Sequence, residues 1–113
     1  MTAATIDAAT FRALQDSTGV DFVRELVATF LEELPGMLGE LSAALERGDE
    51  ETFRRTAHSL KSNSLTFGAL ALAALARELE LGGLDAARQS SVLDPLAAEY
   101  ARVARALEAL CRG

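Results

Sequence analysis

Between Val23 and Leu45 the apolar residues Val23, Leu26, Val27, Phe30, Leu34, Met37, Leu38, Leu41 and Leu45 recur at three- and four-residue spacing. Only an α-helix gathers residues at that spacing on one face. The pattern predicts one long amphipathic helix from about Asp21 to Arg47. Pro35 and Gly36 fall inside it, but the stripe keeps its phase across them, so a kink rather than a break is expected. A helix of this length with a single apolar face has to be covered, and the remainder of the chain supplies further helices to cover it.

Gly and Asp punctuate those helices, and runs of Val, Ile and Thr that would mark strands do not occur. Asp7 can cap a short first helix ending near Ser17, where Thr18 and Gly19 break the pattern; it is expected to act as a lid. Gly48 suits a helix end and Asp49 the next cap, so a third helix runs to about Phe67, followed by a sharp turn at Gly68. A fourth helix is expected from Ala69 to about Leu81, ending at Gly82 and Gly83. A fifth begins somewhere between Asp85 and Pro95 and reaches about Leu110. The expectation is an all-α fold: an up-down antiparallel four-helix bundle with a short additional N-terminal helix, forming one domain over residues 1–113.

Charge narrows the function. Eleven basic residues against seventeen acidic ones leave a net charge of −6, so no general attraction to nucleic acid or to an anionic membrane is expected. The longest uncharged run, Ser62 to Ala76, falls short of the roughly 18 residues that span a bilayer. A basic n-region leading an apolar stretch is missing at the start, and the lone Cys111 has no partner for an internal disulfide, so a cytoplasmic location is expected. One His and one Cys make no metal cluster, and no cofactor is expected. Glycines that would cradle phosphates are isolated turn residues, which argues against ATP binding.

The only His, His58, lies three residues before the only Lys, Lys61, both in the third helix. With Phe53 at zero and about 100° per residue, Phe53, Ala57, Leu60, Ser64 and Phe67 fall within roughly 40° of a common line, which predicts the buried face. On the same wheel Lys61 lies near 80°, Arg54 near 100°, Leu65 near 120°, His58 near 140° and Ser62 near 180°. His58 is therefore expected to point outward, with a cation one turn before and one turn after it. Such neighbours favour the uncharged, nucleophilic ring and can hold a phosphate. Arg54 is expected to assist, and Arg55, Glu32, Glu33, Glu50 and Glu51 are read as solvated charges.

Ala57-His58-Ser59-Leu60-Lys61-Ser62, with Gly68 ten positions after the histidine, resembles the signature of the histidine-containing phosphotransfer (HPt) domains of multistep phosphorelays. Phe30-Leu31-Glu32-Glu33-Leu34-Pro35, the segment Leu72 to Glu80 and Glu99 to Val103 extend the resemblance over nearly the whole chain. It implies that His58 is the phosphoacceptor, taking the group from the aspartyl phosphate of a receiver domain and passing it to another. It further implies that Lys61 neutralises the phosphoryl oxygens, that Ser62 stands where the family most often has glycine to admit the receiver, and that Gly68 makes the turn. Leu65, beside His58, is expected to contact the receiver. Thr66 stands where many members have asparagine. The implied partners are response-regulator receiver domains, the partner receiver carrying the Mg²⁺, and a hybrid sensor histidine kinase; the carrier itself is expected to be a monomer without turnover of its own.

Two other readings fit a helical bundle with one exposed histidine. In an adaptor the ring would be inert. In the phosphoacceptor portion of a histidine kinase, Glu or Asp usually follows the histidine and a proline comes soon after; here Ser59 follows, and no further proline comes before Pro95.

Overall fold

A computed structural model of the chain describes residues 5–89 and 93–112, and among these residues it contains five helices and no strand. They are α1 (Ala8–Thr18), α2 (Val20–Arg47), α3 (Glu50–Phe67), α4 (Leu70–Gln89) and α5 (Leu93–Arg112). Around the bundle α2 packs on α3, α3 on α4, α4 on α5 and α5 back on α2, with α3 against α4 the most extensive of these contacts. The result is an all-α four-helix bundle with a short N-terminal helix laid over α2 and α3.

Local chemistry accounts for the boundaries. The Asp7 carboxylate accepts from the Thr10 backbone N–H at 3.1 Å and starts α1; Asp49 accepts from the Thr52 N–H at 3.2 Å and starts α3. Gly48 and Gly68 end α2 and α3 in the left-handed conformation (φ 70° and 80°), each followed by an N–H that reaches back across the last turn: Asp49 to the Ala44 carbonyl and Ala69 to the Ser64 carbonyl, both 2.9 Å. Connections this short force successive helices to run antiparallel. Helix α2 continues through Pro35 without a break, as the unbroken phase of its stripe requires.

Gly68 also seats α1. Its carbonyl accepts from the Asp7 N–H at 2.8 Å, and a Cβ at this position would lie 2.9 Å from the Asp7 carbonyl oxygen. Glycine is needed here for its positive φ and for the close approach. Ile6 and Phe11 anchor α1 by entering the core.

One expectation about the C-terminal half changes. The helix expected to stop at Gly82 and Gly83 kinks at Gly83 (φ 67°, ψ −159°) and then resumes as far as Gln89. Leu84 and Ala87, three apart, bury against the core, so the resumed turn has an apolar face to cover. Helix α5 then starts at Leu93, inside the expected window; residues 90–92 of that window lie outside the described residues.

The α3 face is as the wheel places it. Phe53, Ala57, Leu60, Ser64 and Phe67 are all buried, and Phe67 stacks on Phe30 of α2 with ring centroids 4.8 Å apart. The buried hydroxyl of Ser64 is satisfied by donating to the Leu60 carbonyl at 2.7 Å. Phe53 is fully buried, so Phe53→Ala is expected to destabilise the fold by about 3–5 kcal/mol in urea denaturation. A loss below about 1 kcal/mol would contradict the packing of this face.

Candidate functional site

Because α3 buries Phe53, Ala57, Leu60 and Phe67, its opposite side is turned out, and the His58 side chain is 57% exposed. Lys61, one turn on, is 25% exposed. From the neighbouring helix α4, Glu80 reaches both of them: Oε2 is 2.7 Å from His58 Nδ1 and Oε1 is 2.8 Å from Lys61 Nζ. One carboxylate thus clamps the imidazole and the ammonium side by side.

This contact selects the tautomer. An ionised carboxylate can only accept, so the ring nitrogen facing it donates, and in the uncharged ring the lone pair then lies on Nε2. A ring held by Nδ1 and open to solvent elsewhere leaves Nε2 as its accessible nitrogen.

The two cations expected to flank His58 have different fates. Lys61 stands beside the ring as expected, but in contact with Glu80. The Arg54 guanidinium does not stand free beside the ring: Nε donates to Glu50 Oε1 at 2.7 Å and Nη1 donates to the Glu80 backbone carbonyl at 3.0 Å. The surroundings of the imidazole are therefore corrected from two cations to one carboxylate with a lysine behind it. Glu50 is likewise no idle solvated charge, since it holds Arg54 and also accepts from the Leu84 backbone N–H at 3.0 Å. Arg55 pairs loosely with Glu51 at 3.7 Å and both remain exposed, as expected of surface charges.

Of the other residues singled out in the sequence, Ser62 and Leu65 are exposed on the His58 side of α3. Leu65, 48% exposed, borders a shallow groove of about 210 Å³ between α3 and α4, lined also by Lys61, Leu70, Ala73, Ala74 and Arg77. Gly68 is buried beneath Asp7 and Thr10, so it serves the turn and the seating of α1 and offers no outward docking surface. Thr66 donates to the Ser62 carbonyl at 3.1 Å. Cys111 is half-buried, and that burial raises its thiol pKa, opposite to what a reactive cysteine needs. Among the described residues no three His, Cys, Asp or Glu side chains converge on a possible metal position, and no helix is long and apolar enough to cross a membrane.

Glu80 is the residue that sequence reasoning missed. A signal for it exists: His58 lies ten residues before Gly68 and Glu80 twelve after. At a rise of about 1.5 Å per residue they stand roughly 15 Å and 18 Å from the turn, nearly level across an antiparallel helix pair.

A helical bundle that displays a single imidazole, fixed through one nitrogen and open at the other beside a lysine, defines a protein that carries a group on histidine. A family model described as the Hpt domain matches residues 25–113, and the chain belongs to that family. Its fold is similar to the crystal structure of histidine-containing phosphotransfer protein B (HptB) from Pseudomonas aeruginosa PAO1, with a TM-score of 0.84, 29% sequence identity, and coverage of 98% of this chain and 97% of that one. A search among curated proteins finds no match. The chain is a histidine phosphotransfer carrier of a two-component phosphorelay, a carrier rather than an enzyme, from a family that works with receiver domains and kinases.

The clamp has a consequence for stability. The hydrogen bond from Lys61 holds the Glu80 carboxyl below its ordinary value of 4.5, aided by His58 and opposed by partial burial. A carboxyl depressed in the folded state stabilises fully above its unfolded value, and that contribution is lost as pH falls through the lower folded value. Glu80→Gln removes this titration. Between about pH 5 and about pH 3 the wild type is expected to lose more stability than the variant in urea denaturation. Equal losses would mean that the clamp does not form in solution.

Proposed function

We propose that His58 is the phosphoacceptor, that it reacts through Nε2, and that residues 1–113 act as a single, monomeric, cytoplasmic Hpt domain passing a phosphoryl group from one receiver aspartate to another. The observation that carries the assignment is the Glu80 contact at Nδ1, which leaves Nε2 as the available nitrogen of an exposed ring beside Lys61. A ring of four helices closes its own core, which supports a monomer.

In the forward step the Nε2 lone pair forms a bond to phosphorus while the bond between phosphorus and the aspartate oxygen breaks, and the aspartate leaves as a carboxylate. The Nδ1 proton stays in place. The ring then carries positive charge shared with Nδ1–H, against Glu80. In the reverse step a receiver carboxylate attacks phosphorus and the electron pair returns to Nε2. Lys61 has three N–H donors, so it can keep one on Glu80 and turn another to a phosphoryl oxygen.

The Mg²⁺ and the aspartate belong to the receiver, whose active site has to come within bonding distance of Nε2. Ser62 is small enough to let it approach, and Leu65 offers an apolar contact on the same side. Isolated turn glycines leave the chain without a phosphate-cradling loop, which supports the absence of ATP binding. The upstream donor in this reading is the receiver of a hybrid sensor histidine kinase.

Incubation with a phosphorylated receiver tests the assignment. His58→Gln is expected to abolish acid-labile labelling while leaving the melting temperature nearly unchanged, because exposed polar contacts contribute little to folding. Labelling equal to wild type would leave an adaptor with an inert histidine. Lys61→Ala is expected to slow transfer by roughly tenfold to a hundredfold, less than the about 10²–10³ of a shielded oxyanion donor, because the site is open to water. An unchanged rate would reduce Lys61 to a surface charge.

A further inference from the structure

In an unbroken α-helix the Leu84 N–H would donate to the Glu80 carbonyl, four residues back. The non-helical conformation of Gly83 opens the ladder at that bond. Two side chains of α3 take up both ends: Glu50 accepts from the Leu84 N–H at 3.0 Å, and Arg54 Nη1 donates to the Glu80 carbonyl at 3.0 Å. Glu50 and Arg54 are themselves joined at 2.7 Å, one turn apart on α3. The opened bond is thus bridged by a continuous chain from N–H to carboxylate to guanidinium to carbonyl.

Gly83 fits this arrangement on two grounds. Its φ of 67° favours glycine, and a Cβ there would run into Glu50 Oε1 and Arg54 Nη2. Hydrogen bonds from Arg54 and from the Leu84 N–H keep the Glu50 carboxyl below its ordinary range, so it is charged near neutral pH. The residue whose backbone Arg54 grips is the residue whose side chain holds the phosphoacceptor.

We infer that Glu50 and Arg54 form a bracket that sets the backbone of Glu80 at the α4 kink, and through it the Nδ1 contact and orientation of His58. Arg54 is thereby a positioning residue: it acts on the imidazole from behind and does not neutralise the phosphoryl group. The inference rests on the reading of His58 as phosphoacceptor, but its first observable is independent of that reading.

Because His58 is the only histidine, the ring nitrogens of the full-length ¹⁵N-labelled protein can be read without ambiguity. In wild type the uncharged ring is expected as the Nδ1–H tautomer. Arg54→Ala is expected to shift it toward Nε2–H, while Arg55→Ala, which removes the same charge from a residue outside the bracket, leaves it unchanged. In transfer from a phosphorylated receiver, Arg54→Ala is expected to lower the rate at saturating receiver by roughly tenfold, within the about hundredfold that an ångström of misplacement can produce. The half-saturating receiver concentration is expected to stay as in wild type.

Glu50→Ala gives a second route to the same state. The double variant is expected to be no slower than the slower single variant, because the two residues act as one unit. An unshifted tautomer in Arg54→Ala would overturn the inference, as would an equal shift in Arg55→Ala. A rise in half-saturation with the tautomer unmoved would also overturn it, marking Arg54 as a contact with the receiver or its phosphate. Failure of the phosphoacceptor reading would show separately, as labelling that survives His58→Gln.

Discussion

The rotational phase of α3 is the constraint on which the site depends. Phe53, Ala57, Leu60, Ser64 and Phe67 occupy one side of the helix and are buried by α2 and α4, so the opposite side, which carries His58, has to face out. His58 and Lys61 are exposed because their neighbours are not. Burial of one stripe places the imidazole at no separate expense in backbone entropy, since α3 is already fixed by its packing. A shift of α3 by one residue, about 100°, would carry the imidazole out of reach of α4 and turn Phe53 away from the core.

Orientation alone does not make a carrier. A group that has to be accepted and then released needs a nucleophile that is poised but not committed, and the two nitrogens of the ring divide that work. Nδ1 is occupied by a carboxylate from α4; in the proposed reaction Nε2 is the one left to react. The carboxylate also contacts Lys61, so the donor available for phosphoryl oxygens stands next to the nitrogen that would bear them. In the proposed reaction everything else that phosphoryl transfer requires, including in-line geometry, a metal ion and the second acceptor, would lie on the receiver. A small bundle suffices because it has only to present one ring in one tautomer.

Glycines shape the frame around that ring in two different ways. Gly68 ends α3, turns the chain into α4 and lets the start of α1 lie directly on the turn. Gly83 instead opens α4 at the bond between Glu80 and Leu84, where Glu50 and Arg54 from α3 insert. The same α3 and α4 interface therefore carries both the core and the polar network that reaches His58. Exposed ion pairs contribute little to overall stability, so this network bears on geometry more than on folding free energy.

Helix periods, the buried faces of α2 and α3, the turns at Gly48 and Gly68, and an outward His58 beside Lys61 were all legible in the sequence. Each follows from local backbone geometry: a repeat of about 100° per residue, a capping carboxylate, a positive φ that suits glycine. Glu80 at Nδ1, the engagement of Arg54 and Glu50, and the resumption of α4 beyond Gly83 were not. These depend on which residues of another helix stand at the same level, and on whether a short apolar segment after a glycine finds a core to cover it. The amino-acid order by itself determined which face of α3 would meet water; the packing of α4 against that face decided which nitrogen of His58 is held and which is free, because only the folded bundle brings a carboxylate 22 residues away into hydrogen-bond range.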